Sequence, residues 1–217
     1  KHMKVEPDRW YYWADRLGML VWQDMPMGNN WSGWGQSIYR DELRRMIDNL
    51  YNHPSIITWV VFNEYWGEFD TRGIAGMVKR LDPSRLVIGT TGYADENAGD
   101  LVSFHTYGKI AFPQVGTGQA KVIAEWGGLG LPIPGHTWTQ GQLRWAEPAH
   151  IESTSDVNHF LHRYQVYTNQ IRSLRDNIGL SAAIYSQLTD VEREATGLLT
   201  YDRAALKVDS ADLISIN

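Results

Sequence analysis

Short apolar runs alternate with stretches of helical period along most of this 217-residue chain, and that alternation limits its fold more than any single motif does. Behind Pro7, residues Trp10, Trp13, Ala14 and Leu17 keep the i, i+3, i+4, i+7 spacing of a helix that Gly18 closes, and residues 19–22 follow as a short strand. Leu43, Met46, Ile47, Leu50 and Tyr51 repeat the helical pattern up to Pro54, and residues 56–62 form the next strand. Ile74, Met77, Val78 and Leu81 then precede a strand over 86–89. Strands over 101–104 and 122–124 come with only short, Gly-rich matter between them, and a helix through Val157, Phe160, Leu161, Tyr164, Ile171 and Leu174 leads to a strand over 181–186. Strands alternating with helices predict a parallel sheet with helices outside it. The runs are nearly continuous in apolar character, the pattern of strands covered on both faces.

Polar residues gather just past the ends of these runs: Asp24, then Asn63 and Glu64, then His105 and Tyr107, then Glu125, then Gln187. A buried pair serving stability accounts for any one of them equally well. It does not account for recurrence at one end of five strands, which is the rim of a (β/α)8 TIM barrel, where the carboxyl ends of the strands carry the chemistry. The predicted fold class is accordingly α/β, a (β/α)8 TIM barrel. Within this rim Glu64, in "WVVFNEYWG", and Glu125, in "KVIAEWGG", each end an apolar strand. Carboxylates are almost never driven into such runs without a partner or a task. Two facing carboxyl groups can cleave a glycosidic bond, one protonating the leaving oxygen and the other attacking or stabilising the anomeric carbon. A gap of about 5–5.5 Å between them retains configuration and one of about 6.5–9.5 Å admits a water and inverts it, a choice the sequence leaves open. Asn63 offers an amide to a sugar hydroxyl, and Tyr107 offers a proton-donating hydroxyl that keeps a nucleophile ionised.

Composition narrows the classes further. The net charge of −5 comes without any Lys/Arg run, which argues against nucleic acid and anionic membrane surfaces as partners. No apolar stretch reaches the roughly 18 residues of a membrane span and no signal-peptide pattern opens the chain, so a soluble protein of undetermined compartment is expected. Cysteine is absent, which removes disulfides and thiolate chemistry. His159 and His162 have helical spacing without an HExxH pattern, so no metal and no cofactor is expected; "GGLGLPIPG" lacks the order of a phosphate loop, and no G-x-S-x-G elbow is present. Several of the ten Trp residues, Trp22, Trp31, Trp34, Trp66, Trp126, Trp138 and Trp145, stand in or beside Gly-rich or Pro-containing stretches. They fit either a large core or a cleft of flat apolar faces suited to sugar rings.

The segments "KHMKVEPDRWYYWADRLGMLVWQDMP", "NE" before "YWG", "SFHTY" and "AEWGGLGLPIPGH" together resemble the catalytic barrel of glycoside hydrolase family 2, the β-galactosidase and β-glucuronidase family. The resemblance implies a retaining exo-β-glycosidase whose acid/base ends strand four and whose nucleophile ends strand seven, hence Glu64 and Glu125. It implies that Asn63 contacts the sugar 2-hydroxyl, that His105 and Tyr107 are the His-x-Tyr pair of strand six, and that His2 stands near the sugar at the end of strand two. Asp24, Trp66, Trp126 and Gln187 complete the expected sugar-contacting set. On this numbering the chain supplies strands three to eight, and an N-terminally truncated barrel that forms homo-oligomers or needs missing N-terminal domains is expected. β-Galactoside is the first substrate expected. β-Glucuronide, β-mannoside and β-glucoside stay open, although no Asn-x-Lys for a uronate follows Glu125. A loop over 127–155, rich in Gly, Pro and Trp, is expected to shape the leaving-group side. The alternatives are a catalytically silent carbohydrate-binding barrel and an inactive glycosidase fragment; a hydrolase needs one carboxyl protonated and the other ionised near neutral pH, whereas a binder does not.

Overall fold

The computed structural model describes residues 1–93, 96–115, 118–138 and 151–217. The chain forms two compact units, Lys1–Phe104 with Val115–Val122, and His105–Gln114 with Ile123–Asn217.

In the first unit helices α1 (Asp8–Leu17), α2 (Gly33–Leu50) and α3 (Thr71–Leu81) alternate with strands β1 (Val21–Asp24), β2 (Ile56–Asn63) and β3 (Leu86–Thr91). The strands lie in the order β1-β2-β3 and both pairings are parallel, with Trp22 opposite Thr58 and Val60 opposite Ile88. This is the predicted strand–helix alternation. Its core joins Leu43 and Ile47 of α2, Ile74 and Val78 of α3, and Trp59 and Phe62 of β2. The buried Trp59 indole N–H donates to Asp82 Oδ2 at 2.9 Å, and Asp82 also accepts from the Ser84 hydroxyl and from Arg85 Nη1 at 2.6 Å. Burial alone would raise the Asp82 carboxyl, but these donors outweigh it and hold the group at about 2.

Helix α1 forms where predicted, with Gly18 closing it at φ 67° and its N–H turned back to Ala14 and Asp15. Its buried face differs from the expected stripe. Tyr11 and Ala14 point inward, while Trp13 and Leu17 are 58% and 73% exposed. Tyr11 can serve as core because its hydroxyl is satisfied, donating to Gln23 Oε1 at 2.6 Å and accepting from the Glu6 N–H at 3.2 Å. The strand expected over 19–22 is displaced to Val21–Asp24, since the helix cap consumes Met19, whose N–H bonds Ala14 O.

Strand β4 (Leu101–Tyr107) and strand β5 (Ala120–Gly127) pass through the division between the units, and the sheet order is β4-β5-β8, with β8 at Leu180–Ser186. Both β4 and β5 extend about three residues further than the apolar runs, so His105, Tyr107 and Glu125 lie inside strands instead of beyond them. Backbone pairing needs no apolar side chain, and the hydrophobic run therefore underestimates the strand. In the second unit, strands β6 (Leu129–Gly130) and β7 (Glu152–Ser153) pair in parallel and helix α4 (Val157–Ile178) precedes β8. The Asp156 side chain caps α4 by accepting from the His159 N–H at 3.0 Å, and Gly179 ends the helix at φ 70°. Phe160, Tyr164 and Tyr167 form its buried face. Helix α5 (Ser210–Ile216) closes the chain, and the segment before it is held by a buried ion pair, Lys207 Nζ to Asp190 Oδ1 at 2.6 Å.

Candidate active site

Strand β2 delivers Asn63 and then Glu64. Asn63 is buried and its Oδ1 accepts from the Thr91 hydroxyl at 2.5 Å, while the Glu64 N–H donates to Thr91 O at 2.9 Å. One threonine of β3 thus fixes both residues. At Glu64 the strand ends abruptly, because Glu64 and Tyr65 adopt φ of 52° and 63°, a region that costs non-glycine residues on the order of 1 kcal/mol or more each. Gly92, at φ 122°, leaves space there: a Cβ on it would stand 3.1 Å from Glu64 Cγ. Trp66 donates its N–H to Asn63 O and leaves its side chain in solvent, with the residue 62% exposed. Asp24, at the end of β1, is buried; its Oδ2 lies 2.8 Å from His2 Nδ1 and accepts from the Met3 N–H at 3.1 Å. His2 and Asp24 therefore meet, as do Asn63 and Glu64 in their own corner of the first unit.

In the second unit β4 and β5 bring three of the expected residues together. The Tyr107 hydroxyl donates to Glu125 Oε2, and His105 Nε2 lies 3.6 Å from Glu125 Oε1, with the imidazole fully shielded from solvent. The Glu125 carboxyl is thus held between a hydroxyl donor on one oxygen and an imidazole facing the other. His105 and Glu125 are also of metal-ligand type.

Trp126 departs from the expected sugar-contacting role. It is 4% exposed and packs in the second core with ring centroids 5.3 Å from Tyr164 and 5.1 Å from Tyr185. Side chains alternate along a strand, so the neighbour of a carboxylate facing a cleft faces the other way. Gln187 follows β8 as expected and its Nε2 lies 3.4 Å from both Glu194 Oε2 and Thr196 Oγ1. Of the loop expected over 127–155, residues 139–150, with Trp145 and His150, lie outside the described residues; its two ends form the β6–β7 pair. The sequence reading passed over Thr91, Gly92 and Gln23. Gln23 is fully buried, its Nε2 donating to Lys4 O at 2.9 Å and Asp24 O at 2.7 Å, which ties down the strand end before Asp24.

Parallel strand–helix units with polar residues at the carboxyl ends of the strands are those of a domain of the α/β TIM-barrel type. Residues 6–126 match the family profile described as glycosyl hydrolases family 2, TIM barrel domain, and the chain belongs to that family. Among curated relatives, a β-galactosidase of Aeromonas hydrophila is 32% identical over 177 residues, covering 75% of this chain and 16% of that protein. A β-mannosidase B of Aspergillus clavatus is 36% identical over 140 residues, covering 63% of this chain and 14% of that protein. The chain thus spans about a sixth or less of the length of these two relatives. Among solved structures, a family 2 β-galacturonidase from Eisenbergiella tayi bound to galacturonate superposes with a TM-score of 0.69 at 19% identity, covering 98% of this chain and 43% of that one. At that identity the likeness bears on the fold.

Proposed function

We propose that this chain carries the two catalytic carboxylates of a retaining exo-β-glycosidase, Glu125 as nucleophile and Glu64 as general acid/base. The observation that supports this most is the Tyr107 hydroxyl donating to Glu125 from the neighbouring strand, with His105 against the other oxygen. In the first step a Glu125 oxygen bonds the anomeric carbon as the C–O bond to the leaving group breaks, and the Glu64 carboxyl gives its proton to the departing oxygen. In the second, Glu64, now a carboxylate, takes a proton from water, the water oxygen bonds the anomeric carbon, and Glu125 is released as carboxylate. Asn63 is read as the donor to the sugar 2-hydroxyl, with His2, Asp24, Trp66 and Gln187 as further contacts. The long strands β1 to β5 and β8 are read as barrel strands three to eight. A β-galactoside is the first substrate to test, consistent with the names of several relatives; the relatives named β-mannosidase keep β-mannoside in the panel.

The test is made in the protein that carries this chain. Glu125→Gln is expected to abolish turnover of every β-glycoside. Glu64→Gln is expected to lower turnover of unactivated glycosides by about 10²–10⁴-fold while sparing nitrophenyl glycosides, whose leaving group needs no proton. Equal loss on both substrate types removes Glu64 from the acid role.

A further inference from the structure

We propose that the first unit holds a second saccharide site, an open pocket of about 510 Å³ beside the start of α3, which takes a neutral pyranose chain. That volume falls in the range of roughly 300–1,000 Å³ typical of small-molecule sites. Its aromatic walls are Trp31, Tyr65 and Phe69, and none of Asp24, Asn63 or Glu64 is among its described lining. Trp31 and Tyr65 are 71% and 51% exposed, so wide ring faces stand in water where stacking against the C–H face of a sugar would cover them.

The walls are held in place from behind. A Cβ on Gly67 would stand 2.0 Å from Gly28 O, and the buried Asn30 amide donates to Gly67 O at 3.2 Å, so the loop carrying Trp31 and the loop carrying Tyr65 are locked together. Arg40 binds Asp70 at 2.9 Å and lies over the Phe69 ring at 4.8 Å, while Phe69 meets Tyr39 and Phe62 edge-on. Glu68 is oriented by the Thr71 and Thr90 hydroxyls at 2.7 and 3.1 Å. The loop backbones, Glu68 and the Phe69 wall, so fixed before binding, lose little conformational freedom when the pocket fills.

Charge selects the ligand class. The lip carries the carboxylates of Glu68, Asp70 and Glu96; Arg40 offsets Asp70 from outside the lining, and the lining cation Arg72 already donates through Nε to the Glu96 backbone carbonyl at 2.9 Å, which leaves an excess of negative charge. Carboxylates accept from hydroxyl groups and repel anions. A neutral polyhydroxyl ligand fits that lip, and a uronate, phosphate or sulfate does not.

The experiment uses the Glu125→Gln protein and follows binding by saturation-transfer NMR with maltotriose and isomaltotriose as neutral probes, α-linked so that the proposed β-glycoside site does not compete for them, and glucuronic acid as the anionic one. Trp31→Ala is expected to weaken the neutral probes about tenfold, the loss of one stacked ring, while Trp31→Phe keeps binding within about threefold. Glucuronic acid is expected to show no dependence on Trp31. Because Trp31 is mostly exposed, the circular dichroism of both variants should match the parent. Unchanged affinity for both neutral probes in Trp31→Ala overturns the proposal, as does Trp31-dependent binding of glucuronic acid as tight as that of maltotriose. Neither outcome touches the catalytic assignment, which is read from the turnover of Glu64 and Glu125 variants carrying Trp31.

Discussion

Glu64 is bent against its own backbone preference, with φ of 52° followed by 63° at Tyr65. Strain of this kind persists where surrounding contacts impose it, here the Thr91 carbonyl that receives the Glu64 N–H. Glu64→Gly should therefore raise the unfolding free energy by about 1 kcal/mol and shift the thermal midpoint upward, even as it removes the carboxyl. A lowered midpoint would mean that the side chain contributes more to stability than the backbone costs. At this scale the sequence was informative where chemistry and position coincide: the carboxylates, Asn63, His105 and Tyr107 stand out because polar groups interrupt apolar strands. Trp126 was not read correctly: its place in a Gly-rich stretch argued for a cleft, whereas strand alternation turns the neighbour of Glu125 to the other face and into the core. The strain at Glu64 and the hydroxyl of Thr91 had no sequence signal, because a residue type does not state its own φ and a threonine is ordinary in a strand.

Among the described glycines, Gly67 in the loop after β2 leaves the least room for a Cβ, against the backbone of the loop after β1. Gly67 combines φ of 60° with Gly28 O at 2.0 Å from where a Cβ would sit. Gly67→Ala is expected to cost about 2–3 kcal/mol by chemical denaturation and to lower turnover through displacement of the Glu64 loop. The buried ion pair of the second unit makes a separate prediction. Lys207 also donates to Ala195 O at 2.9 Å, and Asp190 accepts from the Gly197 N–H at 2.8 Å, so Lys207→Met leaves a buried carboxylate without its cation. A loss of about 3–5 kcal/mol is expected, with part of it recovered in the Lys207→Met/Asp190→Asn double variant. Recovery of nothing would show that packing, not charge, sets the cost. Long amphipathic helices were readable from their period; β6 and β7, each two residues long, carry no periodicity at all and are defined only by a partner far along the chain.

For the molecule as a whole, acid stability follows from carboxyl groups held below their ordinary range. Asp82 is held at about 2 from 3.8; burial pushes Asp15 up and Ser55 and His53 outweigh it; burial pushes Glu152 up and Arg163 and Tyr167 outweigh it. A depressed folded value means that the stabilisation is complete above the unfolded-state values of 3.8 and 4.5 and is lost as pH falls through the folded ones. Asp82, fully buried, contributes on the order of 2 kcal/mol to this. Burial pushes Asp190 upward, which acts in the opposite sense. The denaturant midpoint should accordingly stay level from about pH 7 to 5 and fall below about pH 4, and Asp82→Asn should flatten that fall. A midpoint that drops equally in Asp82→Asn would remove this residue from the account. The class of the fold was visible in the order of strands and helices; pairings such as β6 with β7, set by contacts between distant segments, were not. The clasp of Gly67 on Gly28 has one more consequence, for anyone exchanging loops among relatives to change specificity. The two loops form a single packed piece, so a donor loop moved alone would arrive without the surface it was shaped against, and the pair is the unit to transplant.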